Sequence, residues 1–246
     1  MLGISLVVLK DWYLPMQSTS QSLETVLPMV GEVLQMEMTG MSKLTLARIN
    51  TNLYRWPDFL SAALGANRAT SQVAVGNQGL GGNCVVSECL GPNAISRVDR
   101  DVIAQSGISY ALIFEGINDI GGGDPSPAAQ KIIGDNLINA YKQFITRVHA
   151  AGLPAFGATI TPFGASFYDE PTGERQKTKA RVNDWIRKSV GARGTGFDAV
   201  IDFDKILRDP KNSTVLRKEF DTGDFLHPNT VAYAALVKGF PLNIFR

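Results

Sequence analysis

Tyr110-Ala111-Leu112-Ile113-Phe114, followed at once by Glu115-Gly116-Ile117-Asn118-Asp119, is the stretch from which the architecture follows. Five apolar residues in a row, with no alternation, describe a strand buried on both faces. The polar, glycine-containing sequel marks a loop at its carboxyl end. Outward from this strand, the chain repeats the same grammar. On the amino side, residues 73–77 read as a strand, then a glycine-rich turn, then a helix over 93–105. Earlier still, Trp56-Pro57-Asp58 starts a helix running through Leu64, with proline in its first turn. On the carboxyl side, Leu137, Ile138, Tyr141, Phe144, Ile145 and Val148 share one face of a long helix that Gly152 stops. A strand over 155–160, a helix over 174–190, a strand over 199–203 and a closing helix over 228–238 complete the series. Strands separated by helices of this length make βαβ units. The expected fold is a three-layer α/β/α sandwich with a parallel, flavodoxin-like sheet.

Composition agrees. Of 246 residues, 44% are hydrophobic and 19% charged, enough apolar material for a real core and too much for a disordered chain. Twenty-four basic and 23 acidic side chains leave a net charge of +1. With no basic stripe and no polybasic run, nucleic acid and anionic membrane surfaces are not expected partners. Residues 4–9 form a short apolar run, whereas a bilayer span needs roughly 20 residues. The run is also a poor signal peptide, because no positive charge precedes it and Lys10, Asp11 and Trp12 follow it. Two cysteines, Cys84 and Cys89, exclude a disulfide-dense fold and a four-cysteine zinc site. Fully extended, the chain would separate their Cα atoms by roughly 17 Å, so a bridge requires a turn between them. Structural or free cysteines are the expectation.

The first 48 residues read differently from the rest. They hold every methionine, at positions 1, 16, 29, 36, 38 and 41. Leu34, Met36 and Met38 alternate with Val33, Gln35 and Glu37, a half-buried pattern ending at Gly40 that would supply the first strand of the sheet.

Open parallel sheets bind ligands beyond the carboxyl ends of their strands, and three loops expected there carry unusual residues. The first is Asn77-Gln78-Gly79-Leu80-Gly81-Gly82-Asn83, the second Glu115-Gly116-Ile117-Asn118-Asp119, and the third Asp221 to Asn229. In the third, Asp224 stands three residues before His227. A carboxylate so placed accepts the imidazole Nδ1–H and leaves Nε2 as a general base; the local alternative is that Asp224 merely caps a turn. The glycine turn lacks the G-x-G-x-x-G spacing of a dinucleotide cradle, which argues against a nucleotide-binding protein. It does let backbone N–H groups approach an oxygen closely. Asn118 offers an amide donor beside it. Asp119 and Asp124 lack a third ligand at useful spacing, so no metal site is expected. His149, near a helix C-terminus, reads as structural. Phe163, Phe167 and Tyr168 form an acyl or aryl wall or pack beneath their loop.

These segments together resemble the GDSL, or SGNH, hydrolases, a family of esterases and lipases named for a serine, glycine, asparagine and histidine carried in separate blocks. Residues 77–83 resemble the second block, Gly116-Ile117-Asn118-Asp119 the third, and Asp224-Phe225-Leu226-His227-Pro228 the last. Arg55-Trp56-Pro57-Asp58 and Leu90-Gly91-Pro92-Asn93 extend the likeness over roughly residues 50 to 240, and the xylan-esterase-like or arylesterase-like branch is the nearest. The resemblance implies ester hydrolysis by a serine, His227 and Asp224, with Gly82 N–H and the Asn118 amide as the oxyanion hole. It requires no cofactor, implies a small-molecule or carbohydrate ester as substrate, leaves the oligomeric state open, and by family habit points outside the cell. The alternative is a non-catalytic relative that binds a glycan or acyl ligand.

The departure lies in the first block. Gly-Asp-Ser is absent, and counting back from Arg55 puts the family's serine near residue 41, where the sequence reads Thr39-Gly40-Met41-Ser42. Either Ser42 is a displaced nucleophile, or residues 1–48 are an atypical segment that does not represent the family's own N-terminus, through a gene-model error or a lost exon. We favour the second, with a hydrolase-type domain over 49–246. If Ser42 is the nucleophile, a fluorophosphonate probe labels it and no other residue of the folded chain; a folded sample that stays unlabelled eliminates it.

Overall fold

The computed structural model describes residues 4–10, 55–191 and 194–245. In chain order the main elements are β1 (Ile4–Lys10), α1 (Trp56–Ala66), β2 (Val73–Asn77), α2 (Ala94–Arg97), β3 (Ile108–Phe114), α3 (Ile117–Gly122), α4 (Pro127–Ala150), β4 (Ala155–Ala158), α5 (Glu174–Lys188), β5 (Ala199–Ile201), α6 (Phe203–Leu207) and α7 (Thr230–Lys238). The five strands form one sheet in the order β2-β1-β3-β4-β5, every pair parallel. Crossovers between parallel neighbours are right-handed, so the reversal of direction after β2 puts α1 on one face of the sheet and α4 and α5 on the other. α7 packs with α1, and α4 with α5. The expected three-layer sandwich is the observed one, and its strand order is the flavodoxin-like one. No helix among the described residues is long and apolar enough to cross a membrane.

β1 is an interior strand of the sheet, next to the edge strand β2. Its residues pair with β2 on one side and β3 on the other, Val8 opposite Asn77 and Leu112. The first strand of the sheet, expected at residues 34–38, is thus the apolar run at residues 4–10. Residues 34–38, and Ser42 with them, lie outside the described residues.

The elements end where side chains take over backbone pairing. β4 was expected to reach residue 160, but Ile160 donates its N–H to Asn183 Oδ1 and accepts from Asn183 Nδ2, both at 2.7 Å. β5 stops at Ile201 because Asp202 turns to cap α6, accepting from Lys205 N–H at 3.1 Å. Asn229 does the same for α7, accepting from Ala232 N–H at 3.0 Å. The helix expected over 93–105 divides into α2 and a π-helical turn, Val98–Ile103.

The core beneath the carboxyl edge is aromatic. Trp56, fully buried at the start of α1, meets Phe114 at the end of β3 and Phe203 at the start of α6, edge to face at 6.1 and 5.3 Å. Phe114 and Phe203 close the triangle at 4.9 Å. One side chain therefore ties α1, β3 and α6 together under the loops. Removing so large a buried ring leaves a cavity, and Trp56→Ala is expected to cost about 3–5 kcal/mol, read as a lowered denaturant midpoint with little change in slope.

Candidate active site

The loops leaving β2 and β3 are fastened to each other by partly buried polar contacts. Asp119, on the first turn of α3, accepts the backbone N–H groups of Val85 and Val86 at 2.8 and 3.0 Å. Burial pushes its carboxyl above the ordinary carboxylate range, and those N–H groups pull the other way. Beside it, Asn118 Nδ2 donates to the carbonyl of Asn83 at 2.8 Å, and its Oδ1 accepts from the Tyr168 hydroxyl at 2.8 Å. From below, Arg97 is 2% exposed. It donates to Asn83 Oδ1 at 2.8 Å, to the carbonyls of Gln78 and Pro92 at 3.1 Å, and to Asp101 at 2.6 Å. Its guanidinium also lies 3.5 Å from buried Glu115.

Gly82 sits next to Asn83 on this platform with φ of +72°. A Cβ there would collide with the Leu90 side chain, whose backbone N–H donates to Gly82 O at 3.2 Å. Only glycine suits both the left-handed backbone and the close approach. Among the described residues the Gly82 N–H donates no hydrogen bond. The chain returns past Gly82 because Cys84 and Cys89 are joined in a disulfide, with Cα atoms 5.6 Å apart. This corrects the expectation of unbridged cysteines: the Asp119 contacts bend the segment between them into the turn that a bridge needs.

The third loop supplies the second cluster. His227 Nδ1 lies 2.6 Å from Asp224 Oδ2, while Asp224 Oδ1 accepts the His227 N–H at 2.8 Å. Partial burial works against the Asp224 charge, but the His227 N–H, the imidazole and the Leu226 N–H outweigh it and hold the carboxyl below its ordinary range. His227 Nε2 bonds nothing among the described residues. Phe225, between the pair, has φ of +62°, a strain of about 1–2 kcal/mol for an L-residue, and Asp221 holds the turn by accepting its N–H at 2.9 Å.

The two clusters sit on different parts of the chain. The first lies on the loops directly beyond β2 and β3. The second lies between α6 and α7, a stretch tied to the loop after β4 where Gly164 N–H donates to Thr214 O at 2.7 Å. That same loop carries Tyr168. So the structure brings Asp224 to His227 and sets Asn118 beside Gly82 through Asn83.

The chain belongs to the GDSL-like lipase/acylhydrolase family, whose model matches residues 42–235. No curated protein matches it in sequence. Among solved structures it is similar to a G-D-S-L family protein from Desulfitobacterium hafniense DCB-2, with 19% identity, 96% of each chain covered and a TM-score of 0.57. It is also similar to the acetyl xylan esterase AlAXEase, at 12% identity, 96% of each chain and 0.57. A third is a catalytic mutant of an acetylxylan esterase from Geobacillus stearothermophilus, at 15% identity, with 96% of this chain and 91% of that one covered and a TM-score of 0.57. These likenesses show a shared fold, and the family's chemistry is acyl ester hydrolysis.

The remaining candidates separate cleanly. Phe163 is fully buried, with Lys179 5.6 Å from its ring centroid, whereas Phe167 is 71% exposed and Tyr168 reaches Asn118. Asp124 accepts Ser126 N–H at 2.8 Å before α4, and Asp119 is occupied by the loop. His149 pairs with Asp198 at 2.8 Å across from the end of α4. Reading by residue type overlooked Arg97, although Glu115, a charge directly after a fully apolar strand, signals a buried cationic partner. Closing a six-residue loop by a disulfide contributes about 2 kcal/mol in the chain-entropy account. Reduction is therefore expected to lower the calorimetric midpoint by about 4–8 °C; a midpoint unmoved by reductant removes that role from the bridge.

Proposed function

We propose that the chain hydrolyses acyl esters, acetyl esters of carbohydrates foremost, with His227 as general base and acid, Asp224 as its orienting partner, and Gly82 N–H and Asn118 Nδ2 as oxyanion donors. The observation that carries this reading is the 2.6 Å contact between Asp224 and His227 Nδ1, which leaves Nε2 unengaged among the described residues. A serine hydroxyl, for which Ser42 is the candidate, gives its proton to Nε2 as its oxygen attacks the ester carbonyl. The oxyanion takes hydrogen bonds from Gly82 and Asn118, and the imidazolium returns the proton to the departing alcohol. Water then repeats the sequence on the acyl-enzyme, releasing the acid and the serine. The base stays in the correct tautomer because the ionised Asp224 takes the Nδ1–H, an arrangement whose loss costs on the order of 10⁴ in rate in a comparable triad.

The fold shared with acetyl xylan esterases supports the choice of carbohydrate acetyl esters. Exposed Phe167, beside Tyr168 and hence near Asn118, supplies an apolar face for the substrate. The Cys84–Cys89 bridge supports an oxidising, extracytoplasmic compartment, since such bonds are rare where thiols are kept reduced.

The decisive experiment is hydrolysis of p-nitrophenyl acetate and of acetylated xylo-oligosaccharides by the intact chain and two variants. His227→Ala is expected to abolish turnover, and Asn118→Ala to lower kcat by about 10²–10³ with KM little changed. Turnover that survives His227→Ala overturns the assignment. Saturable binding of the oligosaccharide without hydrolysis replaces the enzyme by a ligand-binding relative.

A further inference from the structure

Of the two proposed oxyanion donors, Gly82 offers a backbone N–H set by the chain, whereas Asn118 offers a side-chain amide that half a turn about its last torsion would invert. Inverted, it would aim oxygen lone pairs at developing negative charge. Two contacts oppose the inversion. The amide nitrogen donates to Asn83 O, and the Tyr168 hydroxyl donates to Oδ1, both at 2.8 Å.

We infer that Tyr168 is a positioning residue for ester hydrolysis, holding the Asn118 amide with its nitrogen toward the reacting carbonyl. The inference rests on the esterase reading above. A hydrogen bond onto Oδ1 also withdraws electron density from the amide and strengthens its N–H groups as donors, so Tyr168 acts on both the orientation and the strength of the oxyanion contact.

The tyrosine is itself firmly placed. Its ring lies across Gly121, where a Cβ would run into the ring atoms. Asn118 is three residues earlier on α3, on the same helix face, so a ring resting on Gly121 delivers its hydroxyl one turn back to the amide. Arg175 anchors the loop to the helix by donating to Tyr168 O at 3.1 Å and to Gly123 O at 2.6 Å. The Tyr168 N–H donates to Ser166 Oγ at 3.1 Å, and the Phe167 ring leans against the tyrosine at 4.4 Å. Ala165, at the root of the loop, takes a left-handed backbone with φ of +68°. Ring, carbonyl and N–H are each fixed independently of the hydroxyl, so replacing the hydroxyl by hydrogen tests the one contact with Asn118.

The test is Tyr168→Phe in the full chain, alone and combined with Asn118→Ala, followed by p-nitrophenyl acetate hydrolysis and by NMR of the side-chain amides. The Asn118 amide pair is assigned by its disappearance in Asn118→Ala. Tyr168→Phe is expected to move both amide proton resonances and to lower kcat about tenfold with KM within about twofold, the loss of one hydrogen bond's worth of stabilisation. In the Asn118→Ala background it is expected to have no further effect, because the two residues act as a unit. Unmoved amide resonances overturn the inference, as does a wild-type kcat in the variant or an equal loss of rate in both backgrounds, which a merely structural tyrosine would produce. If the unmodified chain hydrolyses nothing, the esterase reading fails and the amide resonances alone decide: displacement supports Tyr168 as the residue that orients Asn118, and coincidence with the unmodified spectrum rejects it.

Discussion

The Asp119 carboxylate, half-buried and receiving two backbone N–H groups from the loop after β2, is the contact on which the geometry of the carboxyl edge depends. An ionised carboxylate is costly to bury unless donors surround it. Here the donors belong to peptide groups of a different loop, so satisfying the charge also fixes the loop. Asp119 is the immediate neighbour of Asn118, and Val85 lies three residues from Gly82. The separation between the two proposed oxyanion donors is thereby set by backbone and by the first turn of α3, not by long flexible side chains. Arg97 does comparable service from the core side, where one guanidinium joins Gln78, Asn83, Pro92 and Asp101. The disulfide then closes the far end of the same loop.

The candidate site thus has two parts that depend on different physics. Asp224 and His227 meet within a single turn, three residues apart, and the turn is held by Asp221 and by Asn229, whose Nδ2 donates to the carbonyls of Glu219 and Asp221 at 2.9 and 3.0 Å. Gly82 and Asn118 meet only because β2 and β3 flank β1 in a parallel sheet, which delivers their loops to one edge. The first part needs local backbone geometry, including a strained Phe225. The second needs the whole sheet, and the Trp56, Phe114 and Phe203 triangle beneath it is what keeps α1, β3 and α6 in mutual register.

That division explains which features could be read in advance. Strands β2 and β3, the long helix α4 and the alternation of strand with helix follow from runs of apolar residues and from local stops such as Gly152, all of which act within a few residues. Element ends were less legible: β4 gives way at Ile160 because Asn183, on α5, substitutes for a neighbouring strand. The first strand was sought at residues 34–38 on the strength of an alternating pattern. An interior position of a parallel sheet favours a strand apolar on both faces, and the apolar run at residues 4–9 suits it.

Local order along the chain was enough to specify a parallel α/β sandwich, to pair Asp224 with His227 and to mark the glycine turn and Asn118, since each depends on residue type and short spacing; the resemblance to the family narrowed the turn to Gly82. Folding in three dimensions settled the rest: the strand inserted between β2 and β3, the bridging of Cys84 with Cys89, the burial of Arg97 against Glu115, and the meeting of Tyr168 with Asn118. Each of these depends on where packing brings segments together, and on a charge or polar group finding its partner there once water has been excluded. No spacing along the chain encodes such a partner, because the partner is selected by burial.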